Sequence, residues 1–192
     1  VHFDTNLNRK IESWIAGVNS YLPESIIVNK VLKVDENFHA RFSAVSRTYS
    51  YKILNKKIRS PLLCRTSTWV YQPLDEEKMQ RAATFLVGKH DFSSFRSSEC
   101  QAMSSIRIIK RCDVIRFDSI ITIKIEANAF LQHMVRNIVG SLFEVGRGSK
   151  PVEWISFILE AKDRRLGGKT FPPQGLCFEK VDYGDKLNEN TN

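Results

Sequence analysis

Arg136 carries a charge where its neighbours argue against one. It lies in Phe130-Leu131-Gln132-His133-Met134-Val135-Arg136-Asn137-Ile138-Val139-Gly140-Ser141-Leu142-Phe143. Leu131, Val135, Ile138 and Leu142 fall on one helical stripe, and Phe130, Met134, Val139 and Phe143 widen it. A guanidinium on so apolar a helix is costly unless a carboxylate or an anionic ligand meets it. Phe38-His39-Ala40-Arg41-Phe42 sets a cation between two aromatics, a pattern that suits base stacking plus phosphate contact, as in single-stranded RNA binding. The same stretch also fits a loop that Phe38 and Phe42 anchor to the core while Arg41 points to water. Tyr49 and Tyr51 share a strand face, which reads first as a paired core position with hydroxyls bonded at the edge. Glu99-Cys100-Gln101 reads as ordinary surface, and His133 as a packing residue rather than a catalyst.

Other chemistries find no support. No Gly-rich phosphate loop, HExxH or GxSxG occurs, and the four histidines are far apart, so no metal site is expected. Cys64, Cys100, Cys112 and Cys177 have no CxxC pairing, which suits free thiols in a reducing cytoplasm. No apolar run is long enough to cross a bilayer, so no membrane partner is expected. Lys and Arg total 29 against 21 Asp and Glu, giving +8 and favouring a polyanionic partner. Arg107, Lys110, Arg111 and Arg116 form one basic cluster, and Lys162, Arg164, Arg165 and Lys169 another.

These residues need elements to hold them. Helical spacing covers Leu7 to Tyr21, strand-like composition Ile26 to Val34, and clean alternation Arg47 to Leu54, with Tyr49, Tyr51 and Ile53 on one face. Thr68 to Tyr71 is a further strand. Leu74-Asp75-Glu76-Glu77 opens a helix with acid in its first turn, and Gly88 suits its C-terminal cap. His90 to Ser105 is loop-like. Ser105 to Arg116 and Ile120 to Ala127 pair through a turn at Phe117-Asp118-Ser119. After the Arg136 helix, Pro151 opens another, Arg164 to Gly175 is a basic loop, and Leu176 to Tyr183 is a last strand. Helices among antiparallel strand pairs, without a regular βαβ rhythm, read as α+β.

Taken in order, several of these stretches resemble the TruA family of tRNA pseudouridine synthases. They are Phe38-His39-Ala40-Arg41-Phe42-Ser43-Ala44, Arg47-Thr48-Tyr49-Ser50-Tyr51, Asp91-Phe92-Ser93-Ser94-Phe95, Cys100-Gln101 and Asn128-Ala129-Phe130. His133-Met134-Val135-Arg136-Asn137-Ile138-Val139-Gly140, Ala161-Lys162-Asp163-Arg164 and Gly175-Leu176 complete the set, so the resemblance runs from Val1 to Tyr183. It implies a pseudouridine-synthase fold, with 1–37 as the remnant of an N-terminal subdomain. A C-terminal subdomain at 38–184 would carry the cleft and the RNA surface, and 185–192 would be a disordered tail.

The resemblance also implies an activity. Family members isomerise uridine to pseudouridine at positions 38–40 of the tRNA anticodon stem-loop, as homodimers, with no metal or cofactor. By position, Tyr49 matches the tyrosine that stacks on the target uracil, and Arg136 the arginine that pairs with a nucleophilic Asp and keeps it ionised. Leu176 matches an apolar wall of the base pocket. Arg9, Phe38, His39, Ala40, Arg41, Phe42, Lys57, Glu99, Cys100, Gln101, Ala102 and Met103 match tRNA-contacting positions, although Ala102-Met103-Ser104 departs from the family's usual Ser-containing loop. The Asp belongs to a Gly-Arg-Thr-Asp-x-Gly-Val-His stretch that is not among these residues. Asp4 holds a later strand position and does not replace it. Val1-His2-Phe3-Asp4-Thr5 reads as the end of a strand, so residues upstream are expected, and the 192 residues alone are expected to be inactive. The alternative expectation is a non-catalytic RNA-binding fragment or paralogue.

Overall fold

Residues 45–55 set the frame, because their alternation places aromatic and branched side chains on one face and small polar ones on the other. In the computed structural model, which describes residues 1–184, this segment is strand β1 (Ser46–Asn55). Tyr51 and Ile53 are fully buried on one face, and Ser46, Thr48 and Ser50 are buried on the other. Strand β2 (Thr68–Val70) runs parallel to the end of β1, at Ile53 to Asn55. The chain then turns into helix α2 (Glu76–Thr84), for which the Asp75 carboxylate accepts a hydrogen bond from the Lys78 N–H at 2.9 Å. Such a cap contributes about 1 kcal/mol. The helix ends at Thr84, so Gly88 is not its cap. Gly88 (φ 111°) instead opens strand β3 (Gly88–Asp91), whose last two residues lie in the stretch expected as loop from His90.

Strands β4 (Ile106–Phe117) and β5 (Ile120–Ala127) form the expected hairpin, turned at Asp118 with φ 50°. Helix α3 (Met134–Gly146), helix α4 (Trp154–Ala161) and strand β6 (Leu176–Asp182) follow. The sheet order is β2-β1-β5-β4-β3, with β6 antiparallel to β1 on the side where β2 also pairs. Every pairing except β1–β2 is antiparallel. Ile121, Ile123 and Ile125 of β5 are fully buried, as are Met134, Ile138, Val139, Leu142 and Val145 of α3. At roughly 1.5–3 kcal/mol for each such side chain, burial in this shared core is the main stabilising term. The architecture is α+β: an open mixed sheet accompanied by helices, consistent with a pseudouridine-synthase fold.

The chain divides into two compact units, Val45–Asp182 and a second formed by Val1–Ala44 with the segment from Tyr183. In the smaller unit, helix α1 (Ile11–Asn19) begins four residues later than its spacing suggested. Ile26 to Val34 is not a strand, since no described strand pairs with it. One side chain pins its backbone at Val28. Asn19 accepts from the Val28 N–H at 2.8 Å and donates to the Val28 carbonyl at 3.0 Å, as a strand neighbour would. The tail expected at 185–192 lies outside the described residues.

Candidate active site and RNA-facing residues

Tyr49 stands in β1 beside Ile125 of β5 and Phe178 of β6. It is half-buried, its ring edge-on to Phe130 (5.1 Å between centroids, 83°) and tilted against Phe178 (5.1 Å). An irregularity in the β1–β6 pairing falls at this residue: Thr48 faces Lys180 and Tyr49 faces Phe178, leaving Glu179 as an extra residue. Bulges of this kind re-aim side chains. Tyr51, two residues on, is fully buried, and its hydroxyl lies 2.5 Å from Thr68 Oγ1 and 2.5 Å from the Pro172 carbonyl. The sequence-based pairing of the two tyrosines thus separates into one ring with a partly open face and one locked in the core. Burial pushes the Tyr51 hydroxyl pKa up, against the opposing effects of Thr68 and the Arg136 charge.

The turn from β5 into α3 is built by Asn128, whose side-chain oxygen accepts from the N–H groups of Ile108 and Ala129, each at 2.9 Å. The Asn128 carbonyl accepts from Arg47 at 2.6 Å. His133 then takes the left-handed conformation (φ 60°), so α3 starts at Met134 and Arg136 lies in its first turn. Arg136 is half-buried. Its Nε donates to the Phe171 carbonyl at 2.6 Å, and the Phe171 N–H donates back to the Arg136 carbonyl at 3.2 Å. Among the described residues no carboxylate comes within ion-pair distance of it. Among the described residues the partner of this charge is therefore a backbone carbonyl rather than an acid. Leu176 is half-buried and lies opposite Tyr51 in the β1–β6 register.

The loop from Arg164 to Gly175 that carries Phe171 is held by groups the sequence reading did not single out. Asn137, 1% exposed, donates to the Phe95 carbonyl at 2.7 Å. Its oxygen accepts from Thr170 Oγ1 at 2.6 Å and Arg164 Nη2 at 3.0 Å. Ser141 Oγ accepts from the Gly168 N–H at 3.0 Å. The available signal was a polar residue inside the apolar stripe beside Arg136, since a buried amide must be hydrogen-bonded. Burial lowers the Arg164 pKa.

The stretch Glu99–Met103 is split. Glu99, Gln101 and Met103 are exposed, while Cys100 is buried and Ala102 packs on the core. Burial, the largest effect on the Cys100 thiol, raises its pKa, but the N–H groups of Ala102 and Gln132 and the Arg96 charge outweigh it and hold the pKa below the ordinary value. Lys57 is exposed in the β1–β2 connection with Lys56, Arg59 and Arg65. That connection borders a cleft of about 440 Å³ lined by Arg59, Cys64, Trp69 and Gln174 among others.

In the smaller unit, Arg9 lies over the Trp14 ring at 5.6 Å. Phe38 packs against Tyr183 at 5.0 Å, whereas Phe42 is 76% exposed, with His39 at 4.3 Å and the Arg41 guanidinium at 5.6 Å from its ring. Tyr183 also donates to the Ala40 carbonyl at 2.9 Å. His39 Nδ1 accepts from the N–H groups of Arg41 (3.1 Å) and Phe42 (3.3 Å), which fixes the turn. Of the two aromatics, one anchors the loop and the other offers a stacking face.

No helix among the described residues is long and apolar enough to cross a membrane. Residues 82–184 match the family model described as tRNA pseudouridine synthase. The chain is 49% identical over 183 residues to tRNA pseudouridine synthase A of Bordetella avium, covering 95% of this chain and 68% of that protein. It is also 49% identical over 187 residues to the proteins of the same name from Glaesserella parasuis and Colwellia psychrerythraea, covering 97% of this chain and 71% and 72% of theirs.

Proposed function

The chain belongs to the tRNA pseudouridine synthase family of isomerases, and from that premise we propose that it converts uridines of the tRNA anticodon stem-loop to pseudouridine. The tether on Arg136 carries the reading. Held through Nε by the Phe171 carbonyl, the guanidinium keeps its two terminal amino groups for an incoming carboxylate, the bidentate geometry that arginine favours. In this role Arg136 keeps a nucleophilic aspartate ionised.

The reaction needs the target base out of its stack, at a cost of roughly a few kcal/mol. The partly open ring of Tyr49 then stacks on the uracil, and Leu176 supplies an apolar wall. The N1–C1′ bond breaks as the aspartate attacks the sugar or assists its deprotonation. The uracil turns and C5 bonds to C1′ as the aspartate–C1′ bond breaks or, on the second route, as C2′ regains its proton; the C5 proton leaves and N1 gains one, so the change is an isomerisation with no redox partner. Arg9, Phe38 to Phe42, Lys57 and Glu99 to Met103 serve as the tRNA-contacting residues. Phe42 and Met103, with large exposed apolar side chains, suit stacking on unpaired nucleotides. A pair of chains in the cytoplasm is the working assembly.

Release of tritium from carbon-5-labelled uridine in tRNA tests this on the protein encoded by the complete reading frame. Arg136→Ala should cost at least about a thousandfold in rate while tRNA affinity stays within about threefold. Wild-type turnover by that variant would refute the role. A second reading, RNA binding without turnover, applies to the 192 residues taken alone, because none of their aspartates matches the nucleophile. Salt-sensitive tRNA binding with no tritium release would support it, and turnover by the 192 residues alone would refute it.

A further inference from the structure

We infer that Tyr51 is a positioning residue for the reaction, acting through the 171–176 segment on Arg136 and on the wall of the base pocket. The inference rests on the catalytic role given to Arg136 above. The Pro172 carbonyl can only accept, so the single hydroxyl proton of Tyr51 goes to Pro172 (2.5 Å), and Thr68 must donate to the tyrosine oxygen (2.5 Å). This directs the chain Thr68 to Tyr51 to Pro172. The Tyr51 ring also packs on Phe171 (5.8 Å, 63°), whose own ring is backed by Phe143 at 5.1 Å. Phe171 is the residue that grips Arg136 from both sides of its backbone, at 2.6 and 3.2 Å.

The same tyrosine sets the far end of the segment. A Cβ on Gly175 would lie 2.6 Å from both the Tyr51 ring and the Lys52 carbonyl oxygen, so only glycine lets the backbone pass against the aromatic face and β1. That passage is fixed by the Lys52 N–H donating to the Gly175 carbonyl at 2.9 Å, and it delivers Leu176 opposite Tyr51. One fully buried side chain therefore sets both the cation and the apolar wall, yet it cannot touch tRNA itself.

Losing the hydroxyl leaves the Pro172 carbonyl without its donor and lets the Phe171 carbonyl drift from Arg136 Nε. A misplacement approaching 1 Å at a catalytic group costs up to about a hundredfold in rate. The test uses Tyr51→Phe and Phe171→Ala in the protein encoded by the complete reading frame. It reads single-turnover tritium release and tRNA affinity separately, below each variant's own melting temperature. The expected result for both is a rate about tenfold to a hundredfold lower with affinity within about twofold, because the lesion lies behind the site. Phe171→Ala carries the test if Tyr51→Phe does not fold. Rates within about twofold of the parent, or a loss shared equally by affinity, overturn the inference. Arg136→Ala is run beside them: if it turns over normally, the role of Arg136 fails and this inference with it. If it is dead while the other two match the parent, the role stands and the positioning by Tyr51 falls.

Discussion

Gly168→Ala should loosen the whole support of Arg136 by adding one methyl group. The Cβ would lie 2.5 Å from both the carbonyl carbon and oxygen of Gly140 and 2.6 Å from the Ser141 nitrogen. All three are backbone atoms of α3 and cannot swing aside. Contacts of this kind sit near 3.3 Å or more, so the helix and the 167–171 segment must part by roughly 0.8 Å. That separation falls on a set of aligned hydrogen bonds. Gly168 to Ser141 (3.0 Å), Arg164 to Asn137 (3.0 Å), Thr170 to Asn137 (2.6 Å) and Arg136 to Phe171 (2.6 Å) all span the same gap. Lengthened by that amount, all four bonds leave the normal range. Overpacking of about 1–3 kcal/mol, plus about 1–3 kcal/mol for a buried group left unsatisfied, gives a loss of about 2–6 kcal/mol. Urea unfolding should show a lower midpoint at unchanged slope, and thermal melting should fall by roughly 4–24 °C. Stability within about 0.5 kcal/mol of the parent would mean that the two backbones do not meet as described.

Three further outcomes follow from single residues. Gly17→Ala, in the middle of α1 with nothing within 4 Å of the new methyl, should stabilise its unit by about 0.5–1 kcal/mol, read as increased helical circular dichroism and slower proteolysis of 1–44. Hydrogen bonds from the Arg165 side chain and N–H hold the Asp163 carboxyl down to about 2. Because its folded pKa is depressed, its contribution is fully present above 3.8 and is lost as pH falls toward 2; Asp163→Asn should flatten the acid limb of the stability curve in that window. Burial pushes the Cys112 thiol up to about 12, so a thiol reagent at pH 8 should label exposed Cys64 and Cys177 quickly and Cys112 only in denaturant.

The sequence carried most of the sheet and less of the site. Strand β1 was readable because Tyr49, Tyr51 and Ile53 alternate with small polar residues, and the β4–β5 hairpin because two β-branched runs flank Asp118. Strand β3 was not, since Gly88-Lys89-His90-Asp91 has no apolar alternation and becomes a strand only by pairing with Ile106 to Ile109. The reverse holds for Ile26 to Val34, which has strand composition but lacks a strand neighbour among the described residues. Arg136 announced itself through the cost of a charge on an apolar helix. Its tether to Phe171 is a contact across 35 positions to a backbone carbonyl, and carbonyls leave no mark in composition. Asn137 and Tyr51 were hidden for the same reason: their partners are chosen by the fold.

The extra residue at Glu179 makes β6 a strand of two phases. From Leu176 to Phe178 its side chains keep step with Tyr51 and Tyr49, and from Lys180 to Asp182 they keep a different step with Thr48, Arg47 and Ser46. Glu179 sits at the join, pinned to Lys124 at 2.8 Å. The strand therefore behaves like a vernier, in which removing a single residue at the join would rotate one half against the other without breaking the sheet. Substitutions along β6 are absorbed half by half, whereas a deletion at the join leaves Tyr49 its partner Phe178 but removes the irregularity that aims the ring. In an evolving lineage this strand should tolerate changes of letter and resist changes of count.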